Sequence, residues 1–326
     1  AACQSANLCA SGCPNGAKGM TRRVIPMAEA AGAVFATQHR AQMLLTRRGR
    51  VEAVLATAVR PDGSRELVRI DGTHFFLCCG ATQTPALLRR SGIKRGIGNT
   101  LRVHPMLKVV AEFPDAISAQ DDVLSLLQVR EFWPEISLGG AFFTPGHAAM
   151  ALSENWPSNR PLMDKLGHLG SWYVAVRGTG RGSVRPSVWS RRDTTARYDL
   201  SNEDLRHLSR GLGRLSALLM AAGASAVYPS VWGLDPIRTP VEAARWLDDV
   251  LPRSALALTT VHAFSSCPMG ERADRCPLDS FGRVRAVENL SVHDASMLPD
   301  SPGVNPQGSV IALSRRNVHH FLENRP

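Results

Sequence analysis

The spacing of apolar residues changes period several times along the chain. From residue 34 to 80 the run VFATQHRAQMLLTRRGRVEAVLATAVRPDGSRELVRIDGTHFFLCCG holds short β-rich stretches broken at RRGR, PDGS and DG, which predicts a strand meander. The meander ends in a buried strand, HFFLCCG, where Cys78 and Cys79 are expected to pack in the core. After Gly80 a helix is expected to open through Thr84 and Pro85 and reach Arg90. A helix before the meander, RRVIPMAEAAGA, ends near Gly32.

Residues 105–190 scatter Trp, Phe, Pro and Gly without a long helical period, so an antiparallel β region with loops is expected there. Residues 201–223, SNEDLRHLSRGLGRLSALLMAAG, read as a helix. Ser201 is its N-cap, Asp204 can return a capping bond, and Gly223 ends it. A further helix, TPVEAARWLDDVL, has Pro in its first turn. The closing region 262–326 reads as loop, strand (NLSVHDAS), proline-rich loop and helix. Val310, Ile311, Leu313, Val318, Phe321 and Leu322 give that last helix a rough apolar face.

Composition bounds the function classes. The 326 residues suffice for about two domains. Hydrophobic residues make up 44% and charged residues 20%, an ordinary globular balance. No apolar run is long enough for a transmembrane helix. Arginine supplies most of the positive charge behind the net +10, scattered and in places paired, as at Arg22-Arg23 and Arg89-Arg90, without the clustered basic face, interleaved aromatics or motif that nucleic-acid binding requires. It is read as a solvated basic surface, with attraction of anionic molecules as the lesser alternative. Seven cysteines, an odd number, argue against a fully paired secreted scaffold. The N-terminus AACQSANLC has no initiator Met and no signal-peptide pattern, so the chain is read as either processed or a fragment that begins inside a longer protein, its compartment open with cytoplasmic favoured over exported.

Three places can carry chemistry. In VHDASMLPDSPGVNPQGSVIALSRR, residues 292–316, three prolines within eight residues stiffen a loop that delivers Asn305 to a helix start. Asn305 is a favoured N-cap and Pro306 a favoured first helical residue. The positive end of such a helix suits an anion or a cofactor edge that becomes negative, and Gly308 leaves its first turn open. His262, in VHAFSSCPMG, is a candidate general base near neutral pH. In GATQTPALLRRSGI, residues 80–93, small residues at a strand-to-helix turn let a ligand lie against the backbone.

Together these stretches resemble the glucose–methanol–choline (GMC) oxidoreductases, FAD-dependent alcohol oxidases and dehydrogenases. GATQTPALLRRSGI is similar to the family's second signature, although Lys94 stands where the signature continues with Gly. VHDASMLPDSPGVNPQGSVIALSRRN resembles the C-terminal block, and GCPNGAKGMTRRVIPMAEAAGA the segment before the mid-chain strands. The resemblance implies an α/β fold with a partial, Rossmann-like FAD-binding domain (1–104 and 262–326) and a substrate domain (105–261) of antiparallel sheet flanked by helices. It implies that His262 and Asn305 are catalytic. It also implies that Asp294, Ala295, Gly80, Ala81, Thr84 and Ala41 approach FAD on its nucleotide side, and that Pro306 and Gln307 open a helix facing the flavin. The expected reaction oxidises an alcohol to a carbonyl, with oxygen, a quinone or a cytochrome as electron acceptor.

One departure stands out: the family's N-terminal strand–turn–helix with G-x-G-x-x-G is missing. Gly178, Gly180 and Gly182 form a different spacing and do not open a helix. The chain is therefore read as the C-terminal portion of a longer enzyme, inactive alone. A non-catalytic remnant or one half of a split gene is the alternative. Cys3, Cys9 and Cys13, spaced C-x5-C-x3-C, lack the second pair of a zinc site. They are read as reduced structural thiols, with an iron–sulfur cluster as the minority reading.

Overall fold

The computed structural model describes residues 20–119, 127–189 and 193–324. In chain order the first elements are α1 (Met20–Ala30), β1 (His39–Arg47), β2 (Arg50–Val59), β3 (Arg65–Asp71), β4 (Phe75–Leu77), α2 (Gly80–Arg90), β5 (Arg102–Val103) and β6 (Met106–Glu112). Then follow β7 (Gln128–Val129), β8 (Ile136–Gly140), α3 (Pro145–Ala151), α4 (Trp156–Asn159), β9 (Leu169–Val176), β10 (Arg181–Pro186) and β11 (Thr194–Asp199). The chain closes with α5 (Asn202–Ala221), β12 (Ala226–Pro229), α6 (Pro240–Ala244), β13 (Leu258–Thr259), β14 (Ala263–Phe264), β15 (Leu290–Val292) and α7 (Gln307–Glu323). The fold is α/β, and the chain divides into two compact units.

One unit holds Pro105–Arg177 and Asn202–Thr260, together with the segment that ends at Phe35. Its antiparallel sheet runs β12-β6-β9-β8-β7, and β13 also pairs with β6. Alternation along β6 sends Leu107, Val109 and Ala111 to one face, where they pack with Leu208, Leu212, Leu215 and Leu219 of α5. Val110 points the other way, into a cluster with Phe143, Leu152, Leu162 and Tyr228. The α5 leucines recur at three- and four-residue spacings, which puts them on one stripe. A Cβ on Gly211 would come within 2.2 Å of Val174 Cγ1, so glycine is what lets this helix lie so close to the sheet. Gly223, at φ +100°, ends the helix as the sequence predicts, with Ala224 N–H donating to the Leu219 carbonyl. The expected antiparallel region also contains the short helices α3 and α4, which begin on the local signals Thr144–Pro145 and Trp156–Pro157 rather than on any periodicity.

The other unit holds Ala36–His104, Gly178–Ser201 and Val261–Pro326. The meander β1-β2-β3 forms as predicted. At RRGR both Arg48 (φ 52°) and Gly49 (φ 76°) adopt positive φ, as a two-residue hairpin loop requires. Gly178 and Gly180 precede, and Gly182 lies in, the hairpin β10–β11. β15 lies parallel to β4, with Leu290 opposite Phe75 and Val292 opposite Leu77. The core of this unit gathers Leu44, Val51, Leu77, Leu87, Leu88, Ile97, Met269, Leu290, Val292 and Met297.

Four local expectations are corrected. Cys78 and Cys79 are exposed, because the ladder of β4 stops at Leu77 and only that residue of the strand is buried. α2 starts at Gly80, whose φ of +82° makes the sharp turn, and Pro85 lies within the helix. The cap of α7 is Pro306, whose carbonyl accepts from Val310 N–H at 2.9 Å; Asn305 lies one residue before it. Finally, the apolar face of α7 is only partly buried. Leu313 and Asn317, four apart, share the stripe toward the core, whereas Ile311, Val318 and Leu322 share an exposed one. Among the described residues no helix is long and apolar enough to cross a membrane.

Candidate active site

All the residues that follow belong to the second unit. Asp294 follows β15 and caps one turn of 3₁₀ helix, Ala295–Met297, accepting from Ser296 N–H at 2.8 Å. Its other oxygen accepts from Gly80 N–H at 3.0 Å and from the Thr84 hydroxyl at 2.5 Å. Thr84 Oγ1 in turn accepts from Cys79 N–H at 3.1 Å. One carboxylate therefore ties the N-terminal turn of α2 to the end of β15, two places 210 residues apart in sequence. Ala81 joins the same cluster, since its carbonyl accepts from the buried Ser266 hydroxyl at 2.6 Å. The Cys78 thiol is pushed up to about 11 by the protein atoms around it and by the Asp294 charge. The buried Cys267 is pushed up to about 12 by its burial and again by Asp294. Neither is an activated nucleophile.

The segment that carries His262 is held on both sides. Toward the chain before β6, β14 pairs with β5, His104 N–H donates to the His262 carbonyl, Thr100 donates to the Ser265 carbonyl, and Gly98 N–H donates to the Ser266 carbonyl. Toward Asp294, the N–H groups of Ser265, Cys267 and Met269 donate in step to the carbonyls of Ala295, Ser296 and Met297. Ser265 takes φ +60° within this ladder. His262 is thus fixed by main-chain bonds rather than left on a free loop.

Its ring meets a second histidine. Nδ1 of His262 lies 3.1 Å from Nδ1 of His104, with the ring planes at 88°. His104 is 3% exposed and packs edge-on against Phe264 at 4.9 Å. Burial, and then the proximity of His262, push the His104 ring down to about 3, so it is neutral at any working pH. Burial also holds half-buried His262 below the ordinary histidine range, so it too is neutral at pH 7 and able to take up a proton.

The remaining predicted residues are distributed as follows. Asn305 is exposed on the loop before α7, Pro306 is buried at its start, and Gln307 is exposed in its first turn. Ala41 lies in β1 opposite Ala56 and packs on the core of the unit. Its neighbours bond the far end of α2, Arg90 donating to the Gln42 carbonyl and Leu44 N–H to the Ser91 hydroxyl. The rise along the helix separates that end from Gly80 by about 15 Å. Cys3, Cys9 and Cys13 fall outside the described residues. Among the described residues no group of three or more His, Cys, Asp or Glu could hold a metal ion.

Sequence reasoning missed His104, Phe264, Ser265 and Ser266. His104 stands in the apolar run LRVHPMLKVV, where its only local signal is a lone polar ring beside Pro105. Its partner is 158 residues away.

The second unit thus holds a buried histidine against a half-buried one, and a carboxylate that organises a strand–helix turn. Profiles of the GMC oxidoreductase family match residues 1–106 and 179–314, and the chain belongs to that family. An uncharacterized GMC-type oxidoreductase of Sinorhizobium fredii is 39% identical over 99% of this chain and 64% of its own length. A long-chain-alcohol oxidase of Arabidopsis thaliana is 27% identical over 94% of this chain and 45% of its own. Among solved structures, pyridoxine 4-oxidase from Mesorbium loti shares the fold with a TM-score of 0.64 at 20% identity, over 88% of this chain and 58% of that one. The chain spans less than two thirds of the length of these curated relatives, 64% of the first and 45% of the second.

Proposed function

We propose that the protein to which this chain belongs oxidises an alcohol to a carbonyl with FAD, His262 taking the hydroxyl proton and Asn305 holding the substrate oxygen. The observation that carries the reading is His262 itself: a half-buried imidazole, neutral at pH 7, fixed by main-chain bonds and by a buried partner ring. Family membership and a long-chain-alcohol oxidase among the relatives support an alcohol as the donor.

The residues present fit a flavin nucleotide. The backbone at Gly80 is open, since a Cβ there would meet nothing within 4 Å, and the same is true of Gly308 in the first turn of α7. The hydroxyl of Ser265 is buried without a hydrogen-bond partner in the protein. Asp294, Ala295, Gly80, Ala81 and Thr84 would hold the nucleotide side, and Pro306 and Gln307 would present the positive end of α7 to the flavin ring. When bound, FAD supplies the hydride acceptor.

The test uses the full-length protein, purified with its flavin and mixed anaerobically with primary and secondary alcohols of graded length. Bleaching of the flavin absorbance by an alcohol is the expected result. A flavin that dithionite bleaches but no alcohol does would contradict the reading. Reoxidation by oxygen, a quinone or a cytochrome then identifies the electron acceptor.

A further inference from the structure

We propose that His104 is a positioning residue that fixes the tautomer of His262, accepting a hydrogen bond from His262 Nδ1–H so that the basic lone pair of His262 lies on Nε2. Both the choice of tautomer and its kinetic consequence rest on the reading of His262 as the base.

Two ring nitrogens 3.1 Å apart share a single proton. If His104 donates it, the lone pair of His262 Nδ1 is engaged and its Nε2 already carries hydrogen. Such a ring has no site at which to take a substrate proton. If His262 donates, its Nε2 carries the lone pair. Once His262 is protonated, both of its nitrogens carry hydrogen, and only an accepting His104 is compatible with that state. His104 must then be neutral with its Nδ1 bare, and its burial keeps it so. His104 Nε2 is buried without a hydrogen-bond partner in either arrangement, so the choice falls to the proton that His262 must accept.

The supporting geometry is built in. His104 N–H donates to the His262 carbonyl at 3.2 Å, which sets the main-chain separation, and Phe264 packs edge-on against the His104 ring. The nearby charged groups on the same strand and loop, Arg102 and Asp300, bond each other at 3.0 Å. This is the role that a carboxylate plays for a catalytic histidine elsewhere, here given to a neutral ring.

The experiment labels the full-length holoenzyme with ¹⁵N-histidine and reads the tautomers from long-range ¹H–¹⁵N correlations, with resonances assigned by their loss in single variants. In the wild type His262 should carry its proton on Nδ1 and His104 on Nε2, and His104 should stay neutral at pH 5. In His104→Leu, His262 should move its proton to Nε2, and kcat should fall about 10–100-fold with little change in KM. His104→Asn, whose Oδ1 can accept the same bond, should keep the Nδ1–H signature and most of kcat. A wild-type His262 protonated on Nε2, or an unchanged His262 in His104→Leu, overturns the proposal. Tautomers as stated, but full activity in both His104→Leu and His262→Ala, would support the positioning and overturn the base reading instead.

Discussion

Nδ1 of His104 lies 3.1 Å from Nδ1 of His262, and His104 N–H donates to the His262 carbonyl. One contact joins the rings and another joins the main chains, so the pair cannot drift apart without breaking the β5–β14 pairing.

The first consequence is a pH profile. Burial lowers the His262 pKa below its ordinary value of about 6.5, so the neutral, base-competent form dominates at pH 7. In the full-length enzyme kcat/KM should rise with pH through an apparent pKa below 6.5 and then stay level across pH 7–8. An acid limb with its midpoint above pH 7 would contradict this.

The second concerns stability. His104 binds its proton near pH 3 when folded and near 6.5 when unfolded, so between these values the unfolded chain holds more protons. Stability is therefore complete above about pH 6.5 and falls as pH drops toward 3, with a slope from this group of at most about 1.4 kcal/mol per unit. His262 and His293, also lowered by burial, act in the same direction. Urea midpoints at pH 7 and pH 5 should differ less in His104→Leu than in the wild type. Equal differences would remove His104 from this effect.

Asp294 should matter to both fold and cofactor. Asp294→Ala strips the acceptor from Gly80 N–H, the Thr84 hydroxyl and Ser296 N–H. Leaving such donors unpaired costs about 1–3 kcal/mol each, with incomplete additivity. We expect a loss of about 2–4 kcal/mol in urea unfolding and less flavin per chain, with Thr84→Val milder on both. Unchanged unfolding in Asp294→Ala would show that the network is not needed.

How much of this was legible in the sequence depends on the range of each signal. α5 is plain because its acidic first turn and leucine stripe lie within one helix and Gly223 stands just past its end. The hairpin at RRGR was plain for the same reason. His262, Asn305 and the strand–turn–helix at Gly80 stand out as candidates from local residue chemistry, and motif resemblance implies their roles; neither signal needs contact information. The His104–His262 pair depends on a contact across 158 residues that no local pattern encodes. Cys78 and Cys79 misled because an apolar run does not say where its ladder ends. The start of α7 moved by one residue because Asn and Pro both favour helix starts, and spacing does not settle which of them is the cap.

Gly98 makes a sharper test of the scaffold. It sits at φ +71°, and a Cβ there would come within 2.5 Å of the Val184 carbonyl oxygen. Gly98→Ala therefore meets both strain and a clash, and should cost at least about 2 kcal/mol. Gly63, at φ +81° with nothing within 4 Å, supplies the control: Gly63→Ala meets strain alone, about 1 kcal/mol. Thermal melts of the two variants should separate clearly, and equal melts would contradict the packing of this loop.

The most direct measurement is the anaerobic rate of flavin reduction by an alcohol substrate in full-length His262→Ala, beside the wild type at pH 7.5. If His262 takes the hydroxyl proton, the rate should fall about 10²–10⁴-fold while flavin content and melting temperature stay near wild type. A rate equal to wild type would mean that His262 is not the base and that the proton leaves by another route.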